Sequence, residues 1–189
     1  MAEKVLYQTV KDKGNHKEIE TKGPIHCAKD NAWLGHGFYF WDTFEELAHW
    51  WGEHRLKQPY MVWKALCDFD SDKCFDLHGE PNHILIFRKV AQEILDQKID
   101  EDEKNITVAE VLYYIQDVLK ITNYSAIRAT GALSISPKNL KYTIKMPFEI
   151  GKHQFIDLLP AIQICIFNLD AMDFKEHTLI FPDKHKTAV

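Results

Sequence analysis

Cysteine is scarce in this chain: there are four in 189 residues, Cys27, Cys67, Cys74 and Cys165. No two of them form a CxxC pair, and their spacing fits no zinc template. Cys67 and Cys165 sit in or at the end of apolar runs, which reads as buried reduced thiols rather than a disulfide framework. A Cys–His nucleophile pair stays open, since its partners can lie far apart in sequence, but nothing singles out one cysteine. Long apolar runs are missing too. None approaches the ~18–20 residues of a membrane span, and residues 1–6 lack the apolar core of a signal peptide. Both absences point to a cytoplasmic protein with no membrane partner. There is no long basic run and the net charge is −5, which argues against tight nonspecific DNA binding and leaves room only for a local basic patch. The Walker loop, HExxH, GxSxG and GxGxxG patterns do not occur. The ten histidines are scattered; His49 and His54 are five apart, a spacing that does not share one helical face, so no metal site is expected. Asp68, Asp70, Asp72 and Asp76 lack the glycine and distal glutamate of a calcium loop and read as solvated turn residues.

What the chain does have is ordinary bulk and one unusual segment. It is 46% hydrophobic and 27% charged, enough apolar material for one domain with a sizeable core. Residues 5–10 read as a first strand and the polar stretch 11–21 as a loop. Residues 34–42, Leu-Gly-His-Gly-Phe-Tyr-Phe-Trp-Asp, bracket His36 with two glycines and run into four aromatics. Strand side chains alternate between faces. If Phe38 and Phe40 point into a core, Tyr39 and Trp41 are left for a cleft that holds a flat molecule. Asp42 or Thr43 is a candidate N-cap, with Glu46 completing a capping box from Thr43. The helix that follows places Phe44, Leu47, Ala48 and Trp51 on one face. Residues 60–67 and 73–77 read as strands. Residues 84–99 read as a helix, 100–104 as an acidic hinge, and Thr107 with Glu110 as the capping box of another helix. Strands follow at 124–128, 161–167 and 178–181. Strands at both ends with helices between predict an α+β fold, a single domain over 1–189 with a helical segment at about 82–120.

Several segments together resemble bacterial ADP-ribosyltransferase-like proteins. The stretch 31–42, followed by Ala48 and Trp51, resembles that family's strand with a G-x-G-[FIV]-Y-[FL] pattern and the helix after it. Pro59-Tyr60-Met61-Val62-Trp63-Lys64-Ala65, followed by Cys74-Phe75-Asp76-Leu77, is similar to its paired strand and "CLDL" segment. Tyr124-Ser125-Ala126-Ile127-Arg128 resembles its "YD-x-[IV]-R" strand. Ile162-Gln163-Ile164-Cys165-Ile166-Phe167-Asn168, with Met172 beyond, resembles its late "IQICV-x-N" strand. The four matches fall in the family's order and cover a minority of the chain.

The resemblance implies a split antiparallel β-sheet core with a cleft for NAD, used as a substrate whose nicotinamide–ribose bond is cleaved so that ADP-ribose passes to a macromolecular acceptor. It assigns nicotinamide and ribose binding to Tyr7, Gln8, Thr9, Gly37, Phe38, Tyr39 and Trp41, with Tyr39 stacking on the ring. Arg128 is expected near the phosphates and Gln163 at the anomeric carbon, where an oxocarbenium-like charge develops. Two positions depart from the family pattern. Gln8 stands where a histidine is usual, and Gln163 where many transferases open the strand with glutamate. The stretch 129–134 also lacks the acid found after the arginine in related proteins, and Glu149 and Asp157 are the later acids on offer. Three functions compete: an ADP-ribosyltransferase of toxin, effector or phage-defence type, with an antitoxin or other protein partner; a catalytically degenerate module of the same fold that binds NAD, ADP-ribose or a protein; and an interaction protein whose aromatic segment packs on a partner.

Overall fold

The computed structural model describes residues 2–97, 106–120, 124–131 and 145–185. The expected hinge at 100–104, the end of the 84–99 helix and the stretch 132–134 lie outside the described residues. The fold is mixed α+β with a mostly antiparallel sheet. The strands are β1 (Ala2–Lys11), β2 (Phe38–Asp42), β3 (Tyr60–Phe69), β4 (Cys74–Asp76), β5 (Ala126–Thr130), β6 (Lys145–Pro147), β7 (Phe155–Asp157), β8 (Ile162–Ile166) and β9 (Phe174–Phe181). Seven of them form one sheet in the order β4-β5-β8-β2-β1-β3-β9, in which only β4 and β5 run parallel. The helices are α1 (His16–Lys22), α2 (Glu45–Trp51), α3 (Pro81–Gln97) and α4 (Val108–Tyr113). No helix among the described residues is long and apolar enough to cross a membrane.

Alternation along the strands sorts the core onto two faces. On one face Leu6, Phe40, Ala65, Ile164 and Ile166 pack with Met172. On the other, Val90 of α3 and Val111, Leu112 and Ile115 of the α4 region cover Phe75, Ile127 and Cys165. Leu47 and Ala48 of α2 cover Tyr7, Trp41 and Val62 beside them. The expected apolar stripe of α2 is therefore the buried one, since Phe44 and Trp51 join the same cluster. The Thr107–Glu110 capping box forms, with both reciprocal hydrogen bonds in place.

Two local expectations are overturned. The stretch 11–21 is not all loop, because α1 occupies His16–Lys22. A seven-residue helix is unstable alone. It is held by Ile19, which is 1% exposed and packs with Met61 and Trp63; burying one such side chain contributes about 1.5–3 kcal/mol. Thr43 does not cap α2. Its φ is +71°, its hydroxyl donates to Asp42 Oδ1 at 2.9 Å, and the residue preceding the helix is Phe44, which makes no side-chain cap. The buried ion pairs of Asp42 and the turn that serves them outweigh a cap worth ~1 kcal/mol.

The hairpin of β6 and β7 forms a separate two-stranded sheet, and its turn leaves Phe148 and Ile150 largely exposed. No periodic pattern marked it, because its apolar residues do not face a core.

Candidate functional site

The sheet forks at its centre. β1 and β2 pair at only two positions, Leu6↔Asp42 and Tyr7↔Trp41. Beyond Tyr7, β1 continues along β3 as far as Lys11↔Tyr60. β2 continues instead along β8, from Phe38↔Ile166 to Trp41↔Gln163. Gly37 makes the β2 side possible. A Cβ there would lie 2.6 Å from Cys165 Sγ and 2.8 Å from Ile166 O, so only glycine lets the chain run this close to β8. Gly37 also exchanges both backbone hydrogen bonds with Cys27.

Gln8 bridges the opening. It is 4% exposed, and its amide imitates a peptide group. Nε2 donates to Ile25 O at 2.9 Å and, more weakly, to Tyr39 O at 3.4 Å, while Oε1 accepts from Ile25 N at 2.7 Å. This doubly bonded side chain stitches the segment around Ile25 to the end of β1.

The fork opens into a cavity of about 600 Å³. That is within the range of small-molecule and cofactor sites. Its rings come from Trp33, Tyr39, Phe40, Trp41 and Trp51, its amides from Gln8, Asn15, Asn31 and Gln163, and its cationic edge from Lys11, Lys13 and Lys29, with His26 beside them. No aspartate or glutamate is among the described residues that line it.

Trp33 was not among the expected site residues, yet it organises one wall. Its indole Nε1 donates to Gln163 Oε1 at 2.9 Å. The ring lies against Gly131, where a Cβ would collide with it. The loop carrying Trp33 is clamped by Tyr39, whose hydroxyl accepts from Leu34 N and donates to Gly35 O, both at 2.8 Å. Burial, the largest influence, pushes the Tyr39 phenol far above its ordinary value, so it stays protonated and keeps both bonds. Tyr39→Phe leaves the Leu34 amide without this partner. The expected loss is about 1–3 kcal/mol of stability in urea titration, together with a change in Trp33 fluorescence as its loop loosens. Unchanged stability and emission would show that the Tyr39 hydroxyl does not clamp the loop.

The expected site residues divide into two groups. Gln8, Thr9, Tyr39, Trp41 and Gln163 come together at the cavity. Thr9 also donates its hydroxyl to Ala48 O at 2.8 Å, and Trp41 packs against Trp51 at 5.9 Å. Tyr7, Gly37 and Phe38 are not part of the lining. Tyr7 belongs to the cluster under α2, Gly37 to the close strand contact, and Phe38 meets His26 edge-on at 5.1 Å.

Arg128 lies elsewhere. It sits opposite Ile164 while Gln163 sits opposite Ala129, so it projects from the other face of the sheet. There its Nε donates to Asp42 Oδ2 at 2.7 Å and its Nη1 to Asp76 Oδ2 at 2.9 Å. Lys4 Nζ meets Asp42 at 3.0 Å. Two cations and two carboxylates neutralise one another.

Lys11, Lys13, Asn15 and Lys29 line the cavity without belonging to any motif, and Trp33 lies in the 31–42 stretch but had no role assigned to it. The only local signal was a pair of lysines flanking Asp12 just past the first strand. The buried thiols offer no nucleophile: burial pushes Cys165 up to about 12 and Cys67 up to about 11.

Comparison with family models, with characterised proteins and with solved structures finds no match for this chain.

Proposed function

We propose that the cavity at the β1–β2 fork binds NAD and that the protein is an ADP-ribosyltransferase acting on a macromolecular acceptor. The observation that carries this reading is the forked sheet with an aromatic, amide-lined and carboxylate-free cavity at the divergence. The family resemblance points to the same strands: the aromatic β2 and the Ile-Gln-Ile-Cys β8 are neighbours that meet at Trp41↔Gln163. In this reading the indoles and the Tyr39 ring sandwich the nicotinamide. Amide groups bind ribose hydroxyls, as both donor and acceptor. Nicotinamide leaves with the electrons of the glycosidic bond, and the acceptor nucleophile attacks the electron-poor anomeric carbon. Toxin, effector or phage-defence roles, with an antitoxin as partner, follow from the resemblance alone.

A second reading is favoured by one specific observation, the missing acid. Gln163 is neutral and already bonded to Trp33. Glu149 lies in the exposed hairpin turn, and Asp157 accepts from Leu159 N at 3.0 Å; neither lines the cavity. On this basis the fold serves as a binding module for NAD or ADP-ribose without turnover.

One experiment separates the two. The protein is titrated with NAD by calorimetry, then incubated with labelled NAD and cell lysate. Transfer predicts nicotinamide release and labelled macromolecules; the binding module predicts heat without either. Trp33→Ala is expected to weaken NAD binding by about 1–3 kcal/mol. If NAD produces no heat up to millimolar concentrations, both readings fall.

A further inference from the structure

We infer that Lys11, Lys13 and Lys29 form a diphosphate-binding lip at the mouth of the cavity, and that the ligand class is a nucleoside diphosphate or its conjugate. The inference deepens the dinucleotide reading and rests on it for the location of the ligand. Three observations carry it.

First, the charge is local and unneutralised. The chain as a whole is at −5, yet three lysines line one cavity with no carboxylate among the described lining residues. All three are exposed, and their ammonium groups have no ion-pair or hydrogen-bond partner among the described residues. Asp12, between two of them, is committed elsewhere: it accepts from Gly14 N at 2.9 Å and pairs with Lys184 at 3.6 Å.

Second, the lip is held in place. Lys11 ends β1, Lys13 follows it, and Lys29 lies on the segment that the Gln8 amide ties to β1 through Ile25. The Cys27–Gly37 bridge fixes the same segment to the approach to β2. Lysines from two separate stretches therefore face one opening.

Third, the other candidate for a phosphate is spent. Arg128 shares Asp42 with Lys4, pairs with Asp76 as well, and projects from the opposite face, so it offers no free charge to the cavity.

Lysine meets phosphate as a mobile point charge. A diphosphate brings two acidic groups to three ammoniums, and such charge-assisted hydrogen bonds are the strong kind. The rings and amides deeper in the cavity then read what is attached.

The test compares adenosine, ADP and ADP-ribose against the intact chain by calorimetry, in the wild type and in Lys11→Gln/Lys13→Gln/Lys29→Gln. The wild type is expected to prefer ADP and ADP-ribose over adenosine by at least about tenfold, and to lose that preference as salt rises. In the triple variant ADP-ribose affinity is expected to fall on the order of 100-fold, with adenosine binding and thermal stability unchanged. Single variants, Lys29→Gln above all, supply the same comparison should the triple variant misfold. A triple variant that binds ADP-ribose as the wild type does overturns the lip, as does a wild type that binds adenosine and ADP equally.

The two proposals fail separately. Lysine-dependent ADP-ribose binding without NAD turnover leaves the lip standing and removes transfer. NAD turnover undiminished in the triple variant, at subsaturating NAD, removes the lip and leaves transfer. If none of the three compounds binds the wild type, the lip is overturned.

Discussion

Asp42→Ala is expected to melt about 6–20 °C below the wild type, corresponding to a loss of about 3–5 kcal/mol. The cost comes from what is left behind. Asp42 is 1% exposed and accepts from Arg128 Nε at 2.7 Å, from both approaches of Lys4 Nζ and from the Thr43 hydroxyl. Burial by itself would raise its carboxyl. The hydrogen bond from Arg128 and the charge of Lys4 outweigh that and hold it below the ordinary carboxylate range. Removing it strands a half-paired guanidinium against Asp76 alone, and it unties a link that runs from β1 through β2 to β5 and β4. Because its folded value is depressed, the stability that Asp42 contributes is complete above its unfolded value near pH 4 and is lost as pH falls further. Thermal melts at pH 7 check the main effect. A variant within about 1 kcal/mol of the wild type would show that the network contributes far less than a buried pair normally does.

His177 should dominate the pH dependence above that window. It lies on β9, stacked on Trp63 with ring centroids 4.7 Å apart and planes 17° apart, and Trp63 is itself fully buried. Neither ring nitrogen of His177 has a hydrogen-bond partner. Burial therefore penalises the charged ring and pushes its pKa down to about 4. An unfolded histidine titrates near 6.5. Between about pH 6.5 and 4 the unfolded chain holds the extra proton, so stability falls as pH falls and levels off for this group below about pH 4. The whole loss is about 3 kcal/mol, from roughly 2.5 pH units at 1.36 kcal/mol each. His177→Phe keeps a flat ring on Trp63 and removes the titration. Urea unfolding of both proteins at pH 7, 5.5 and 4 is expected to show the variant gaining on the wild type by about that amount across the series. Parallel stability curves would mean that the ring is charged at no cost, and the stack would then lack the dry environment assigned to it.

Some elements could be read from the residues alone because their patterns are local. The aromatic β2, the apolar β3 and β8, the stripe on α2 and the Thr107–Glu110 capping box each declare themselves within a dozen residues. The α+β class follows from their order. The short helix α1 could not be read, since a single buried residue, Ile19, replaces the periodicity that a longer amphipathic helix shows. The hairpin of β6 and β7 carries apolar residues that face outward, which breaks the rule by which strands are recognised. Thr43 carried a valid capping pattern that lost to the demands of Asp42.

The candidate site divides the same way. Tyr39 and Trp41 were legible because an aromatic run just after two glycines stands out in sequence, whereas Gln8 and Gln163 were singled out only through the family resemblance. Arg128 stood out too, but its partners lie 86 and 52 residues away, and only pairing across β8 and with β4 reveals that its charge is consumed. Which lysines gather at one opening was equally out of reach, because Lys29 is brought to Lys11 by long-range contacts, the Gln8–Ile25 bonds at the fork and the Cys27–Gly37 bridge. The sequence by itself determined the elements whose hydrophobic period is short-ranged and the kinds of side chain available for binding. The tertiary structure alone decided the parting of β1 from β2, the faces to which Arg128 and Gln163 project, and which charges remain free. Those depend on register between strands distant in the chain, where a shift of one residue sends every side chain to the opposite face.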